Sequence, residues 1–199
     1  MEISYAGLVL RVADDVYLPA EDSHMLSAAA SSLNGDVLEI GCGCGIASLT
    51  CARMVPQSVV LGTDINPSAV AIAGENAELN NIKNASFIKS DLFDQVPEKE
   101  FDAILFNPPY LPTSEEERLE GAINDAYDGG IDGREVLDRF LSSFDSYLKP
   151  QGALLLVQSS LNDMEKTEDV LSSLGYAVSI ESREKFFFET LSLLRAVKP

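Results

Sequence analysis

The 199 residues are 46% apolar and 23% charged, the balance of a globular protein, and no apolar run nears the roughly 20 residues that cross a bilayer. The net charge of −18, from 14 basic and 32 acidic residues, sets the chain against a polyanionic partner such as nucleic acid unless another subunit supplies positive charge. Met1-Glu2-Ile3-Ser4 lacks the basic start and apolar stretch of a secretion signal, so a cytoplasmic location with reduced thiols is expected.

Residues 23–33 suit a short helix with Ser23 as its cap. Val37-Leu38-Glu39-Ile40 reads as a buried strand running into Gly41-Cys42-Gly43-Cys44-Gly45, and a helix follows to about Met54. Val59–Asp64 is the next strand. Asn66-Pro67 supplies a cap and a first-turn proline for an alanine-rich helix to about Leu79. Strands are expected near Ala85–Lys89 and at Phe101–Phe106, followed by a loop over 107–132. Asp132 and Glu135 have the spacing of a capping box. They open a helix carrying Val136, Leu137, Phe140, Leu141 and Phe144 at helical spacing, which stops before Pro150. Ala153–Val157 is a further buried strand, a helix covers about Asp163–Ser173, and Ala177–Ile180 and Glu189–Ala196 close the chain as strands.

Strands that alternate with helices imply a parallel sheet covered on both faces, in a single α/β domain spanning 1–199. The residues joining the last two strands, Glu181–Phe188, are too few for a parallel crossover, so that pair is expected to be antiparallel. Cys42, Cys44 and Cys51, with the lone His24, are ligand types for zinc. The spacing of Cys42 and Cys44 in one tight loop is too short for a usual zinc pair. No metal is expected; the first two read as small loop residues and Cys51 as a buried helix residue.

In an open α/β sheet, ligands sit beyond the carboxyl ends of the strands where strand order reverses. Gly41 and Gly43 let backbone approach a ligand there. Asp64 lies at the end of the next strand, where an acid accepts hydrogen bonds from ribose hydroxyls. Ile46 stands where a dinucleotide fold would have its third glycine, so a nicotinamide or flavin dinucleotide is disfavoured. S-adenosyl-L-methionine needs the ribose acid but no pyrophosphate cradle. In that reading Asp91 accepts from the adenine amino group and Leu92 offers its backbone amide; the alternative for Asp91 is a turn cap. Glu39 is a charge inside a buried strand, answered either by a cationic cofactor or by a structural partner such as a backbone amide.

Asn107-Pro108-Pro109-Tyr110 leaves the fourth of these strands directly. The prolines cannot continue the ladder, so the chain turns out at the sheet's carboxyl edge in a stiff segment. An amide or aromatic amino nitrogen is a poor nucleophile because its lone pair is delocalised. The Asn107 side-chain carbonyl and the Pro108 backbone carbonyl can hold its two N–H groups, and those bonds strengthen as positive charge grows on the nitrogen. Tyr110 can stack on the planar group.

These residues resemble the HemK-type methyltransferases, in particular their short archaeal and eukaryotic branch. The resemblance covers nearly the whole chain. It rests on Tyr17-Leu18-Pro19-Ala20-Glu21-Asp22-Ser23, Leu38–Gly45, Thr63-Asp64-Ile65-Asn66-Pro67, Asn107-Pro108-Pro109-Tyr110 and Asp128-Gly129-Gly130-Ile131-Asp132-Gly133-Arg134-Glu135-Val136. It implies a class I methyltransferase (Rossmann-like) fold, a mostly parallel seven-stranded sheet with an antiparallel last strand and helices on both faces. Cofactor contacts are implied at Ser23 (where the family usually has threonine), Glu39, Gly41, Gly43, Asp64, Asp91, Leu92 and Asn107, with residues 1–34 an arm and helix contributing to the pocket. The implied catalytic segment is Asn107, Pro108, Pro109 and Tyr110. The implied reaction is N5-methylation of the glutamine of a class-1 release-factor GGQ motif, with a small zinc-binding activator subunit as partner. An N-terminal helical recognition domain, as in long bacterial relatives, has no room before Gly41. N6-methylation of adenine is the enzymatic alternative, because it needs the same two acceptors; a non-catalytic partner subunit is the other. The acidic run 114–120 reads as a solvated loop, with a face for a basic substrate as the alternative.

Overall fold

The computed structural model describes residues 1–113 and 126–199; the acidic run 114–120 lies outside them. In chain order the strands and helices are β1 (Glu2–Tyr5), β2 (Leu8–Arg11), α1 (Glu21–Ala30), β3 (Asp36–Ile40), α2 (Ile46–Met54), β4 (Val59–Asp64), α3 (Pro67–Leu79), β5 (Ala85–Lys89), β6 (Phe101–Phe106), α4 (Glu135–Leu141), β7 (Leu148–Ser159), α5 (Met164–Ser173), β8 (Ala177–Lys185) and β9 (Thr190–Val197).

Seven strands form one sheet in the order β5-β4-β3-β6-β7-β9-β8. Pairing is parallel from β5 through β7, and β9 runs antiparallel to both β7 and β8. This is the expected layout. The chain moves outward from β3 through β4 to β5 and then returns to β6 on the other side of β3. The order therefore reverses at β3, and a crevice opens beyond its carboxyl end. Register sets what meets there: Ile40 is level with Thr63 on one side and Phe106 on the other. Gly41, Asp64 and Asn107 thus leave the sheet side by side.

The central strands bury both faces, as a parallel sheet requires. Leu38, Ile40, Ile104, Phe106, Leu154 and Leu156 point into a cluster with Phe93, Leu137, Phe140, Phe144 and Leu171. Their neighbours Val37, Ala103, Leu105, Leu155 and Val157 point the other way, against Met25, Leu26, Ala47 and Cys51 of α1 and α2. This period-two alternation is strand geometry expressed in a largely apolar run, with Glu39 the buried charge inside it.

Several local expectations are corrected. The first residues, expected as an arm, form the β1–β2 hairpin, with Ala6 and Gly7 both at positive φ (47° and 78°), as a tight two-residue turn requires. Fully buried Asn76 of α3 holds it: Arg11 N donates to Asn76 Oδ1 (2.8 Å), and Asn76 Nδ2 donates to Arg11 O and Cys44 O (2.9 Å each). Helix α1 starts at Glu21, and Ser23 lies within its first turn rather than capping it. Asp132 does not cap α4, because its carboxylate takes the Arg134 amide (3.0 Å) while Gly133 sits at φ 69°, so the chain becomes helical only at Glu135. The apolar run continues past Leu141 as a separate 3-10 turn, Phe144–Tyr147. Strand β7 begins before Pro150, not after it. Leu148 pairs with Phe101 but Ala153 pairs with Ala103, so Pro150 falls in the irregular stretch between, where no ladder bond is lost. Strand β8 runs on to Lys185, leaving a shorter link than Glu181–Phe188.

Helix α3 is as expected, with Asn66 Oδ1 accepting from Ser68 N (2.9 Å) and Pro67 at the first position. Among the described residues no helix is long and apolar enough to cross a membrane. The first apolar cluster turns on Phe140, whose ring is fully buried with centroids 4.4 Å from Phe106 and 5.5 Å from Phe93 and Phe144. Phe140→Ala should cost about 3–5 kcal/mol, read as a lower urea midpoint with unchanged slope. A loss under about 1 kcal/mol would remove this cluster from its place at the centre of the core.

Candidate active site

At the reversal point the sheet opens into a cavity of about 630 Å³. Ser23, Glu39, Gly41, Gly43, Asp64, Asp91, Leu92, Asn107, Pro108, Pro109 and Tyr110 all line it. The fold brings every expected site residue to one cavity.

The floor is the turn after β3. Gly41 and Gly43 sit at φ 67° and 53°, in the left-handed region, and a side chain on Gly43 would point into open space. Cys42 N donates to Thr63 O (2.8 Å) and Gly43 N to Asp64 Oδ2 (2.8 Å), tying the turn to β4. Asp64 also accepts from Asn66 N through Oδ1 (2.9 Å), which fixes its carboxylate at the rim of the turn. The thiols beside it are buried. Burial raises Cys42, pushes Cys44 up to about 12 and Cys51 up to about 11, so all three stay protonated and poorly reactive. Among the described residues no group of three or more His, Cys, Asp or Glu is arranged to hold a metal ion.

Glu39 is only 3% exposed. Its Oε2 accepts from the Ser48 amide (2.8 Å) and, closely, from the Ser48 hydroxyl. The structural partner is thus a backbone amide, but it comes from the first turn of α2 rather than from the glycine turn. Burial pushes the Glu39 carboxyl up to about 8, with nearby Asp64 adding to the rise, and the two Ser48 hydrogen bonds oppose it.

The far end is built by the turn after β5. Asp91 does not cap it; Ser90 Oγ does, accepting from Gln95 N (3.0 Å) and donating to Leu92 O (3.0 Å). One Asp91 oxygen instead accepts from Arg139 of α4 at 2.8 Å, an ion pair half open to solvent. Leu92 lies at φ 46°, an uncommon conformation for a large side chain, which turns its backbone at the cavity wall.

On the opposite side stands the segment after β6. The Asn107 side-chain oxygen is buried and accepts no hydrogen bond from any described residue. An orphaned buried acceptor is costly unless something fills it. Tyr110 is held by its backbone: Asn162 Nδ2 donates to Tyr110 O (2.7 Å) and to Gly133 O (3.1 Å). A Cβ on Gly133 would lie 2.5 Å from Tyr110 O, so only glycine lets the Gly-Gly segment pack here. Arg134 locks the far side of that segment, donating to Asp163 O (2.8 Å), Thr167 Oγ1 (3.0 Å), the Asn162 carbonyl and Asp138. The ends of the intervening loop are pinned as well, Leu111 N to Tyr127 O and Gly129 N to Leu111 O (3.0 Å each).

The remaining wall comes from α1 and the segment before it. Buried Asp22 accepts from the Tyr17 hydroxyl (3.0 and 3.2 Å), the Ser23 amide (2.6 Å) and the Ser23 hydroxyl (3.1 Å). Burial and the Asp22 carboxylate raise both the Tyr17 and Tyr110 phenols, with Glu189 and Glu21 adding to the effect at Tyr110. Sequence reasoning missed Tyr17, Asp22, Tyr127, Arg139, Asn162 and Glu189 as site residues. The Tyr17–Ser23 segment carried a signal for the first two. Arg139 and Glu189 carry none, because only tertiary packing brings them to the cavity, and the same holds for Asn162, which braces Tyr110 from behind.

A model of the methyltransferase small domain family matches residues 22–188. A Methanocaldococcus jannaschii relative named for protein N5-glutamine methyltransferase activity is 49% identical over 197 residues, covering 98% of both chains. The human methyltransferase HEMK2 is 36% identical over 194 residues, covering 92% of this chain and 90% of its own. Among solved structures, the E. cuniculi Mtq2–Trm112 complex, responsible for methylating the eRF1 termination factor, superposes with a TM-score of 0.69 at 26% identity, covering 93% of this chain and 99% of that one.

Glu39 sets a pH dependence of the protein itself. Its carboxyl is raised in the folded chain above the ordinary range it has when unfolded, so the folded state binds that proton more tightly. The associated stability is present at acid pH and is lost as pH rises through about 8. Glu39→Gln keeps an acceptor for Ser48 and removes the titration. Denaturant titrations at about pH 5 and about pH 9 should show the variant losing less stability with rising pH than the parent. Equal losses would mean that Glu39 is ionised throughout.

Proposed function

The chain belongs to the methyltransferase small domain family, in its HemK-type branch, and from that premise we propose that it transfers a methyl group from S-adenosyl-L-methionine to the side-chain amide nitrogen of a glutamine in a class-1 translation release factor. The observation that supports this reading is the Asn107 side-chain oxygen, a buried acceptor that takes no hydrogen bond from the described residues, on a residue lining a cavity of the size that holds a small cofactor and one side chain. The names of the relatives, glutamine methyltransferases that act on release factors, supply the substrate. The reading extends to a cytoplasmic enzyme and a small zinc-binding activator subunit, since the E. cuniculi neighbour works as a complex with Trm112.

The cavity's residues suit the cofactor. The glycine turn lets backbone approach it, and Asp64 and Asp22 make that end acidic, matching a ligand with an ammonium and a sulfonium. Asp64 takes the ribose hydroxyls, its carboxylate oriented by the Gly43 and Asn66 amides. Asp91 and Leu92 take the adenine edge, and Ser23 and Glu39 the amino-acid end. When bound, the cofactor supplies an electrophilic methyl group.

The chain's own work is to hold the acceptor. Asn107 Oδ1 and the Pro108 carbonyl accept the two N–H bonds of the glutamine amide and aim its nitrogen at the methyl group. As the nitrogen gains positive charge its N–H groups become stronger donors, so both bonds favour the transition state over the ground state. Pro108 and Pro109 stiffen the segment. The Asn162 bond to Tyr110 O keeps the ring against the amide plane. The surplus proton then passes to water.

Asn107→Ala should lower kcat by about a hundredfold or more while cofactor affinity by calorimetry stays near the parent value. Asp64→Ala should do the converse, weakening cofactor binding by about 1–3 kcal/mol. Substantial turnover by Asn107→Ala would remove the acceptor role. A radiolabelled methyl-transfer assay, run with and without the activator, should label release factor and not its GGQ-glutamine mutant. Labelling of DNA or RNA instead would transfer the same two acceptors to adenine.

A further inference from the structure

The link between β8 and β9 carries three consecutive phenylalanines, and two of them pack into no apolar cluster of the described residues. Phe186 N donates to Glu189 O (2.8 Å), closing the turn. Phe187 and Phe188 are 92% and 84% exposed and belong to none of the three apolar clusters. Their rings meet edge to face, with centroids 4.7 Å apart at 84°. Tight turns favour glycine, asparagine and aspartate. Each aromatic ring is worth about 150–250 Å² of buried surface when it finds a partner. Exposed contiguous apolar surface of this kind marks an interaction site.

The tip is continuous with the cavity. Glu189, the residue after Phe188, lines the cavity wall, and its Oε2 accepts from Ser159 Oγ at 2.5 Å. Thr190 N donates to Ser160 Oγ (3.0 Å) and Ser160 N to Thr190 O (2.9 Å), fixing the base of the hairpin to the end of β7. Exposed Leu161 leaves the same strand end. Glu189 acts electrostatically on Tyr110 together with Asp22 and Glu21. The aromatic pair therefore extends the rim on the Tyr110 side, away from Asp64 and Asp91, between the acidic Glu189 and Glu21 on the cavity side and exposed Lys185 on the strand side.

We propose that Phe187 and Phe188 form a docking edge for the polypeptide that carries the acceptor glutamine, taking an apolar side chain of that polypeptide while Glu189 and Glu21 attract a basic residue beside it. The proposal rests on the protein-glutamine reading and deepens it. One amide inside the cavity gives a macromolecular substrate little contact, so its affinity must come from outside, and rigid aromatics supply most per residue. The acidic rim and the net charge of −18 disfavour a nucleic acid or an anionic membrane at the same edge.

The test is the double variant Phe187→Ala with Phe188→Ala, assayed with full-length release factor in the presence of the activator. Because both rings are exposed, its thermal midpoint should match the parent. The KM for release factor should rise about 10–100-fold, while kcat at saturation and cofactor affinity stay unchanged. The pair Phe187→Leu with Phe188→Leu should recover most of the loss. An unchanged KM, or a fall in kcat alone, overturns the docking edge. So does a change in self-association by sedimentation with KM unmoved, which would assign the tip to a second copy. A parent protein inert on release factor sinks the glutamine reading and the proposal together. A parent that methylates it with KM indifferent to the tip sinks only the proposal.

Discussion

The parallel register of β3 between β4 and β6 is the constraint on which the site depends. Ile40, Thr63 and Phe106 are held level by main-chain hydrogen bonds in the buried centre of the sheet, so Gly41, Asp64 and Asn107 emerge as a row. Their separation is a property of the sheet rather than of flexible loops, which is how acceptors can be aimed without reorganising. A slip of one residue in β3 would exchange its faces. Glu39 would enter the phenylalanine cluster, and Leu38 and Ile40 would lose theirs, a cost that specifies the register strongly.

The same row explains why the cavity is acidic. Asp22 is buried and accepts from the Ser23 amide, Asp64 stands at the rim and accepts from the Gly43 amide, and buried Glu39 accepts from the Ser48 amide. Arg139, paired with Asp91, is the one basic side chain lining the cavity among the described residues. Amide donors hold these carboxyls in place without adding a positive charge of their own. Such a cavity is matched to a cation and mismatched to a pyrophosphate, the same distinction that Ile46 makes at the third-glycine position.

On the acceptor side, rigidity is imported from distant parts of the chain. Tyr110 is held through Asn162 at the end of β7, Gly133 packs against the same carbonyl, and Arg134 ties that segment to α5. At Gly129 and Gly133 backbone lies against backbone, with Cβ distances of 2.7 Å to Gly133 and 2.5 Å to Tyr110 O, whereas Gly130 is at φ +81° and packs against the Glu135 side chain. The segment is a brace for the tetrapeptide, which accounts for its place in the family resemblance although only Glu135 and Val136 of it, with Asp128 before the glycines, reach the cavity wall.

Strand and helix order was legible because apolar periodicity, Asn66-Pro67 and the glycine turn are local signals that tertiary packing reinforced. The cavity residues were legible for a related reason: they follow strand ends, and strand ends converge in a doubly wound sheet. The corrections fall where long-range pairing overrode local preference. Asp132 gave its carboxylate to Arg134, Pro150 sat harmlessly in a register shift, and the β1–β2 hairpin needed Asn76 of α3 to hold it. The sequence by itself determined the fold class, the glycine turn with its acidic partners and the stiff Asn107–Tyr110 segment at a strand end, because each is written in contiguous residues. Only the tertiary structure decided that the Asn107 side-chain oxygen would be buried with no donor among the described residues, that Asn162 would brace Tyr110, and that two exposed phenylalanines would stand beside the cavity. Those facts depend on distances between residues far apart in the chain, which no local pattern encodes.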